Sequence, residues 1–263
     1  MSNSLKLDGQ KILITGVSRP LGIGATLTKR FLEAGAMLAI HGYSDYDMQM
    51  QYLSAAENAT SHLAENLSQE GFKIISLTSK DLSKKGVAEQ VITEANQKLG
   101  TLDGLILNHA YSTNAPIGEW TEEHIDSHLL INVRASMLMI QSFANQVDVS
   151  KGGVITLFTS GQYLGSMTNE IAYAVSKDAI IGLCKQVAVA LAEKNIRVNC
   201  VNPGPNDTGY MTGEAYETVA KMFPSNRWGT PNDTADLLLF LHSEYAKWIT
   251  GQIIASEGGF RRG

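Results

Sequence analysis

Tyr173 and Lys177 stand four residues apart in the segment Ile171–Asp178, which contains no helix breaker. On a helix that spacing puts both side chains on one face. A phenol with an ordinary pKa of ~10 exchanges its proton poorly at neutral pH, and a cation held beside it favours the phenolate by ~1–3 units. The pair could therefore do acid and base work on an oxygen. Alone, a Tyr and a Lys at this spacing more often form a solvated or half-buried helix face. Ser160 gives them weight, because it ends the apolar run Val154–Thr159, and a hydroxyl at the carboxyl end of a strand can hydrogen-bond a reacting oxygen. A second feature is the turn Thr15–Gly24, which carries Gly16, Gly22 and Gly24 between an apolar run and a helical pattern. Glycine allows backbone N–H groups to approach a phosphate, and the helix start adds its positive dipole end. A pyrophosphate fits such a turn; a plain tight connection is the other reading.

These residues need a scaffold that gathers strand ends and helix starts. Short β-prone runs alternate with longer helical patterns along all 263 residues, the pattern of a parallel sheet with helices on both faces. Strands are predicted at Lys11–Thr15, Met37–His41, Lys73–Thr78, Asp103–Leu107, Val154–Thr159, Arg197–Val201 and Gln252–Ala255, mostly continuous apolar runs, as for strands buried on both faces. Helices are predicted at Gly22–Ala34, Met48–Glu70, Lys84–Leu99, Glu122–Val147, Ile171–Lys194 and Asn232–Ser243. With 44% apolar and 18% charged residues and no linker or repeat, one domain over residues 1–263 is expected. A formal net charge of −5 gives no general attraction to phosphate backbones or anionic lipid, which argues against nucleic-acid and membrane partners. A small molecule is the expected partner. The two cysteines, Cys184 and Cys200, lie in apolar stretches and are expected to be reduced thiols, with no disulfide and no metal site, as in a cytoplasmic protein. Met1–Lys11 has no apolar signal core, and no run reaches the ~20 apolar residues that span a bilayer.

Taken together, these residues resemble the short-chain dehydrogenase/reductase family, over about Leu7 to Phe260. In that family a Ser precedes the Tyr by thirteen positions, as Ser160 precedes Tyr173, and Tyr-x-x-x-Lys follows in the same register. Asp81-Leu82 matches the pair that holds the adenine, Asn108-His109-Ala110 resembles the motif after the fourth strand, and Asn132 matches the family's catalytic Asn. Pro203-Gly204 with Thr208 looks like the loop against the nicotinamide. The resemblance implies a Rossmann-type, doubly wound α/β fold with a seven-stranded, mainly parallel sheet. It implies an NAD(P)(H)-dependent oxidoreductase moving a hydride between nicotinamide and a carbonyl or secondary alcohol carbon. Tyr173 would be the general acid/base, Lys177 would lower its pKa and hold the nicotinamide ribose, Ser160 would orient the substrate oxygen, and Asn132 would support a water in the proton relay. Cofactor contacts would come from Gly16, Ser18, Arg19, Gly22, Ile23, Gly24, Tyr43, Asp81, Leu82, Asn108, Ala110, Tyr173, Lys177, Pro203, Gly204 and Thr208. A homotetramer of two-fold related pairs is also implied, with the apolar helices Glu122–Val147 and Ile171–Lys194 and the run Trp248–Ala255 as contact surfaces.

The 3-oxoacyl-(acyl carrier protein) reductases resemble the chain best, and Trp248–Gln252 and Glu257-Gly-Gly fit them. An acyl thioester is thus one candidate substrate. Asn145–Lys151 nearly lacks the basic residues that carrier-protein reductases use, so a small carbonyl compound or secondary alcohol competes equally. Enoyl reductases of this fold space their Tyr and Lys more widely, and extended epimerases carry a larger C-terminal domain. A dinucleotide-binding sensor or scaffold without turnover is the non-enzyme alternative, against which the complete Asn132, Ser160, Tyr173, Lys177 set speaks.

Three departures from the family pattern stand out. The glycine turn carries two extra residues between Gly16 and Gly22, His109 and Tyr111 replace an Asn and a Gly, and the connection Tyr43–Glu70 is long and rich in Tyr, Asp, Gln and Met. His109 is expected to be structural. The long connection reads either as an extra surface turn or as a cover over the adenosine end. At the end of the second strand Gly42 stands where NAD-type members carry an acid, and Arg19 lies where a guanidinium can take a 2′-phosphate, so NADP(H) is expected to be favoured over NAD(H). Asp45 or Asp47 folding back would weaken that preference. In Pro205–Arg227, the residues Tyr210, Met211, Tyr216 and Phe223 could form an apolar lid or pack against the core.

Overall fold

The computed structural model describes residues 5–52 and 54–261. Seven strands form one sheet: β1 (Lys11–Thr15), β2 (Met37–His41), β3 (Ile74–Ser76), β4 (Gly104–Leu107), β5 (Gly153–Phe158), β6 (Ile196–Asn202) and β7 (Ile253–Ala255). Their order is β3-β2-β1-β4-β5-β6-β7, and every neighbouring pair is parallel. The expected mainly parallel sheet is thus wholly parallel among the described residues.

Alternation along β1 shows why the strands read as unbroken apolar runs. Leu13 joins a core that includes Val91, Met139 and Ile180 on one side, whereas Ile12 and Ile14 join Leu27, Ala64 and Leu238 on the other. Both faces are dry, so both need apolar side chains. The helices α4 (Val87–Leu99), α6 (Ala135–Gln146) and α7 (Ile171–Ala190) cover the first face. On the second lie α1 (Ile23–Glu33), α3 (Ala59–Gln69) and α9 (Pro231–His242). Strand order reverses between β1 and β4, where chains leave in opposite directions and a crevice opens beyond the carboxyl ends.

Three helical expectations need correction. The predicted helix Met48–Glu70 is two helices, α2 (Ser44–Gln49) and α3, with Leu53 outside the described residues. Gln51 (φ 53°) and Asn58 (φ 56°) take left-handed backbone between them, a conformation that stops a right-handed helix. The predicted helix Glu122–Val147 runs as α5 (Glu122–His128), a π-helical segment Leu129–Arg134, and α6. A further helix, α8 (Gly213–Ala220), forms inside the segment read as loop. Within that segment Tyr216 stacks on Trp228 at 5.0 Å and Phe223 lies against the same ring at 6.4 Å, so these two side chains pack inward.

Candidate active site

Beyond the ends of β1, β2 and β4 lies a cleft of about 270 Å³. Gly16, Ser18, Arg19, Gly22, Ile23, Gly24, Tyr43, Asp81, Leu82, Asn108, Ala110 and Thr208 line it, together with His41, Asp47, Tyr46 and Tyr52. The glycines are needed by close approach. A Cβ on Gly16, whose φ is +72°, would stand 2.8 Å from the His109 backbone, and one on Gly24 would stand 2.4 Å from the Gly16 carbonyl oxygen. Asn108 Nδ2 donates to that carbonyl at 2.9 Å, locking the end of β4 to the end of β1. At the start of α1 no side chain caps the backbone N–H groups, so the positive end of the helix faces the cleft unsatisfied. One buried polar atom on the wall also lacks a partner, the Oδ2 of Asp47. Such groups cost free energy unless a ligand satisfies them. A dinucleotide with its phosphates at α1 and its adenosine toward Asp81 and Leu82 fits this donor set.

A second, larger cleft of about 1080 Å³ shares Arg19, Ile23, Tyr52, Ser112 and Thr208 with the first. Ser160, Tyr173, Gly204, Glu170, Tyr210 and Met211 are on its wall. Ser160 is the hydrogen-bond partner of the Tyr173 phenol. Burial pushes that phenol up to about 12, against the Ser160 hydrogen bond and with help from Glu170. Lys177 does not counter this as the sequence suggested. Its ammonium sits 5.5 Å from the centre of the Tyr173 ring and donates to the Phe158 carbonyl at 3.0 Å, and burial lowers its own pKa to about 8. Burial is the larger influence on the phenol.

Asn132 is buried in the π-helical segment, one turn from α6. Its Oδ1 accepts from Tyr111 N at 2.7 Å, and its Nδ2 donates to Tyr111 O at 2.9 Å and to Ser176 Oγ at 2.9 Å. The wider π turn breaks the regular i→i−4 ladder and aims this side chain at the strand end. Asn132 and Lys177 stand behind the clefts, and neither they nor Pro203 form the wall of either. Pro203 offers its carbonyl to Asn206 Nδ2 at 2.8 Å.

His109 is a structural residue here. Its Nε2 faces the Ile131 carbonyl at 3.2 Å and must carry the proton, leaving Nδ1 to accept from the Thr15 hydroxyl at 2.7 Å. Burial lowers its pKa to about 3, so the ring is neutral. Arg19 is engaged on the wall that the two clefts share: its Nη2 donates to Thr208 O at 2.6 Å and its guanidinium lies 4.2 Å from the centre of the Tyr52 ring. Asp47 has folded back beside Ser18, and burial raises its pKa. Sequence reasoning missed His41, Tyr46, Tyr52, Ser112 and Glu170 as wall residues, whereas Asp47 was raised as a carboxylate that could fold back. Of those missed, Glu170 alone left a signal, three positions before Tyr173 at the start of α7.

Among the described residues no His, Cys, Asp and Glu cluster could hold a metal ion, and no helix is long and apolar enough to cross a membrane. Both cysteines are free and buried.

The family model described as enoyl-(acyl carrier protein) reductase matches residues 16–261. An uncharacterized oxidoreductase, YjdA, of Bacillus subtilis is 34% identical over 95% of this chain and 96% of its own length. The 3-oxoacyl-[acyl-carrier-protein] reductase FabG of Thermotoga maritima is 30% identical over 97% of this chain and 99% of its own. Among solved structures, a blue fluorescent protein from a metagenomic library, in complex with NADPH, superposes with a TM-score of 0.85 at 26% identity, covering 98% of this chain and 100% of that one. With the parallel sheet, the glycine turn and the Ser160, Tyr173, Lys177 group in one place, the chain belongs to the short-chain dehydrogenase/reductase family of NAD(P)-dependent oxidoreductases.

Proposed function

We propose that the protein interconverts a carbonyl compound and a secondary alcohol at the junction of the two clefts, with Tyr173 as general acid/base. The observation that carries this reading is the meeting of Ser160 and Tyr173 on the wall of the larger cleft, beside the glycine-lined one. A nicotinamide dinucleotide held by Gly16, Ser18, Gly22, Ile23, Gly24, Tyr43, Asp81, Leu82, Asn108, Ala110, Gly204 and Thr208 supplies or takes the hydride.

The residues of this chain do the rest. Ser160 donates to the substrate oxygen and fixes it within reach of the phenol. In reduction Tyr173 delivers its proton as negative charge grows on that oxygen, and in oxidation it removes it. A phenol held near 12 by burial stays protonated at neutral pH, which suits the reductive direction. Lys177 holds the nicotinamide ribose and, once drawn toward it, brings its charge nearer the phenol. Asn132, fixed by three hydrogen bonds, supports a water behind Lys177 through which the proton is replaced. NADP(H) is the preferred dinucleotide in this reading: Gly42 brings no carboxylate to the end of β2, and the one basic side chain on the first cleft's described wall is Arg19. Asp47, also on that wall, works against the preference. An acyl thioester remains one substrate class and a small ketone or alcohol the other. The unit spans residues 1–263, works in the cytoplasm and assembles as a homotetramer; exposed Met137 on α6 and Val175 and Val189 on α7, with Trp248 near β7, supply apolar surface for it.

The test is Tyr173→Phe. Turnover should fall ~10²–10⁴-fold while dinucleotide binding, followed by quenching of protein fluorescence, is unchanged. A Phe variant with wild-type kcat removes Tyr173 from the mechanism.

A further inference from the structure

Glu170 is the one anionic side chain on the described wall of the larger cleft, and Arg19 is the one cationic side chain there. Arg19 already spends its guanidinium on Thr208 O and the Tyr52 ring. Glu170 has no ion-pair partner among the described residues, and its hydrogen-bond donor is the Ser112 hydroxyl. Ser112 is itself held from a third element: the Tyr46 hydroxyl of α2 donates to Ser112 O and accepts from Ser112 N, both at 3.1 Å. The carboxylate therefore sits at a built position, where the loop after β4, the start of α7 and the connection after β2 meet. It is half-buried, and its burial raises its pKa.

An ionised carboxylate only accepts hydrogen bonds. With one oxygen engaged by Ser112, its remaining lone pairs face a cleft whose other walls are hydroxyls, amides and the apolar side chains Met50, Met167, Met211 and Met222. A ligand that seals the cleft with hydrocarbon would strand those lone pairs. One that places a hydroxyl there would satisfy them. Glu170 is the residue just before α7, three positions ahead of Tyr173, and lines the same cleft, so the hydroxyl belongs near the oxygen that Tyr173 protonates.

We propose that Glu170 is a specificity-determining residue that selects substrates with a hydroxyl close to the reacting carbonyl, hydroxyketones in reduction and the corresponding diols in oxidation. The inference rests on the carbonyl-reductase reading above. In the reductive direction the carbonyl carbon receives the hydride, its oxygen receives the Tyr173 proton, and the products are a diol and the oxidised dinucleotide. Glu170 gains and loses no proton; it accepts the hydrogen bond of the second hydroxyl throughout.

The experiment compares 1-hydroxy-2-ketones with the matching 2-ketones of four to ten carbons, each with NADPH and NADH, in wild type and Glu170→Gln. A hydrogen bond to a charged group contributes enough for a ~10–100-fold preference, so wild type should favour the hydroxyketone by that factor in kcat/KM, mostly through KM. In Glu170→Gln the preference, read as the ratio of the two kcat/KM values, should fall to within about threefold. Diol oxidation by the variant should also reach half its maximum at lower pH, because the carboxylate that opposes Tyr173 ionisation is gone. A merely structural Glu170 would move both substrates together. Equal kcat/KM for the two substrates in wild type, or an undiminished preference in Glu170→Gln, overturns the assignment while leaving the reductase reading intact. If wild type reduces neither substrate series with either dinucleotide, the reductase reading fails and this inference fails with it.

Discussion

Lowering the pH from 7 to 5 should destabilise the protein by an amount that three buried imidazoles set. His41 is buried at the end of β2, and burial lowers its pKa from 6.5 to about 4. His109, hydrogen-bonded to Thr15 and Ile131, is kept neutral by burial with a pKa of about 3. His242, between Phe31 and Thr156, also has a pKa of about 3, again from burial. A depressed histidine pKa means that the unfolded chain binds protons that the folded chain refuses, so stability falls as pH drops below 6.5 and keeps falling until the folded pKa is reached. At pH 5 each ring contributes a loss of about 2 kcal/mol, and the three together about 6 kcal/mol. That is comparable with the whole stability of a typical domain, ~5–15 kcal/mol. His128, whose pKa is also lowered by burial, acts in the same direction, while the raised carboxyl pKa values of Asp47 and Glu170 act oppositely. Urea unfolding followed by tryptophan fluorescence at pH 7, 6 and 5, at constant ionic strength, reads the slope. His242→Leu removes one titrating ring and should lessen the pH 7 to 5 loss by about 2 kcal/mol whatever its effect at pH 7. A urea midpoint that is flat from pH 7 to 5, or a slope unchanged in His242→Leu, would refute the reasoning.

Three further outcomes are expected. Lys177→Met should lower kcat at least ~10²-fold and weaken dinucleotide binding, and because it removes a buried ammonium of lowered pKa it should keep or raise the melting temperature; an unchanged dinucleotide Kd would show that Lys177 does not hold the ribose. Arg19→Ala should lose kcat/KM for NADP(H) selectively, by ~10-fold or more as expected for a charge-assisted phosphate contact, and an equal loss for both dinucleotides would count against that contact. Sedimentation at micromolar concentration should give a tetramer, and a monomer there would remove the assembly from the reading.

The strands were legible because burial on both faces leaves its mark on every residue of a run, as in Ile12–Ile14. The Ser160, Tyr173 and Lys177 group was legible because helix spacing and a strand end fix where such side chains meet. What escaped was set by tertiary contacts. The break between α2 and α3 depends on left-handed backbone at Gln51 and Asn58, which no apolar period announces. The π turn that aims Asn132 differs from an α-helix by one residue of winding, too little to alter the pattern of Leu129–Arg134. Spacing put Lys177 on the Tyr173 face, yet could not say whether its ammonium reaches the phenol oxygen or the ring. In this arrangement it donates to the Phe158 carbonyl and lies 5.5 Å from the ring centre.

The two additions to the family pattern, the longer glycine turn and the long connection after β2, act on the same place. Leu21 extends to Gly209, where a Cβ would stand 3.0 Å from its Cδ1, and Arg19 of the same turn is bonded to Thr208. The connection contributes Tyr52 beneath that guanidinium and Tyr46 against Ser112. Thus the loop that carries Thr208 and Tyr210 to the larger cleft is held by the glycine turn of the smaller one, through an arginine that both clefts share. A phosphate that takes the Arg19 guanidinium competes with the Thr208 carbonyl for the same donors. Dinucleotide binding and the position of the substrate loop are therefore linked by one side chain, and whatever a ligand gains from Arg19 is reduced by the contact the loop gives up.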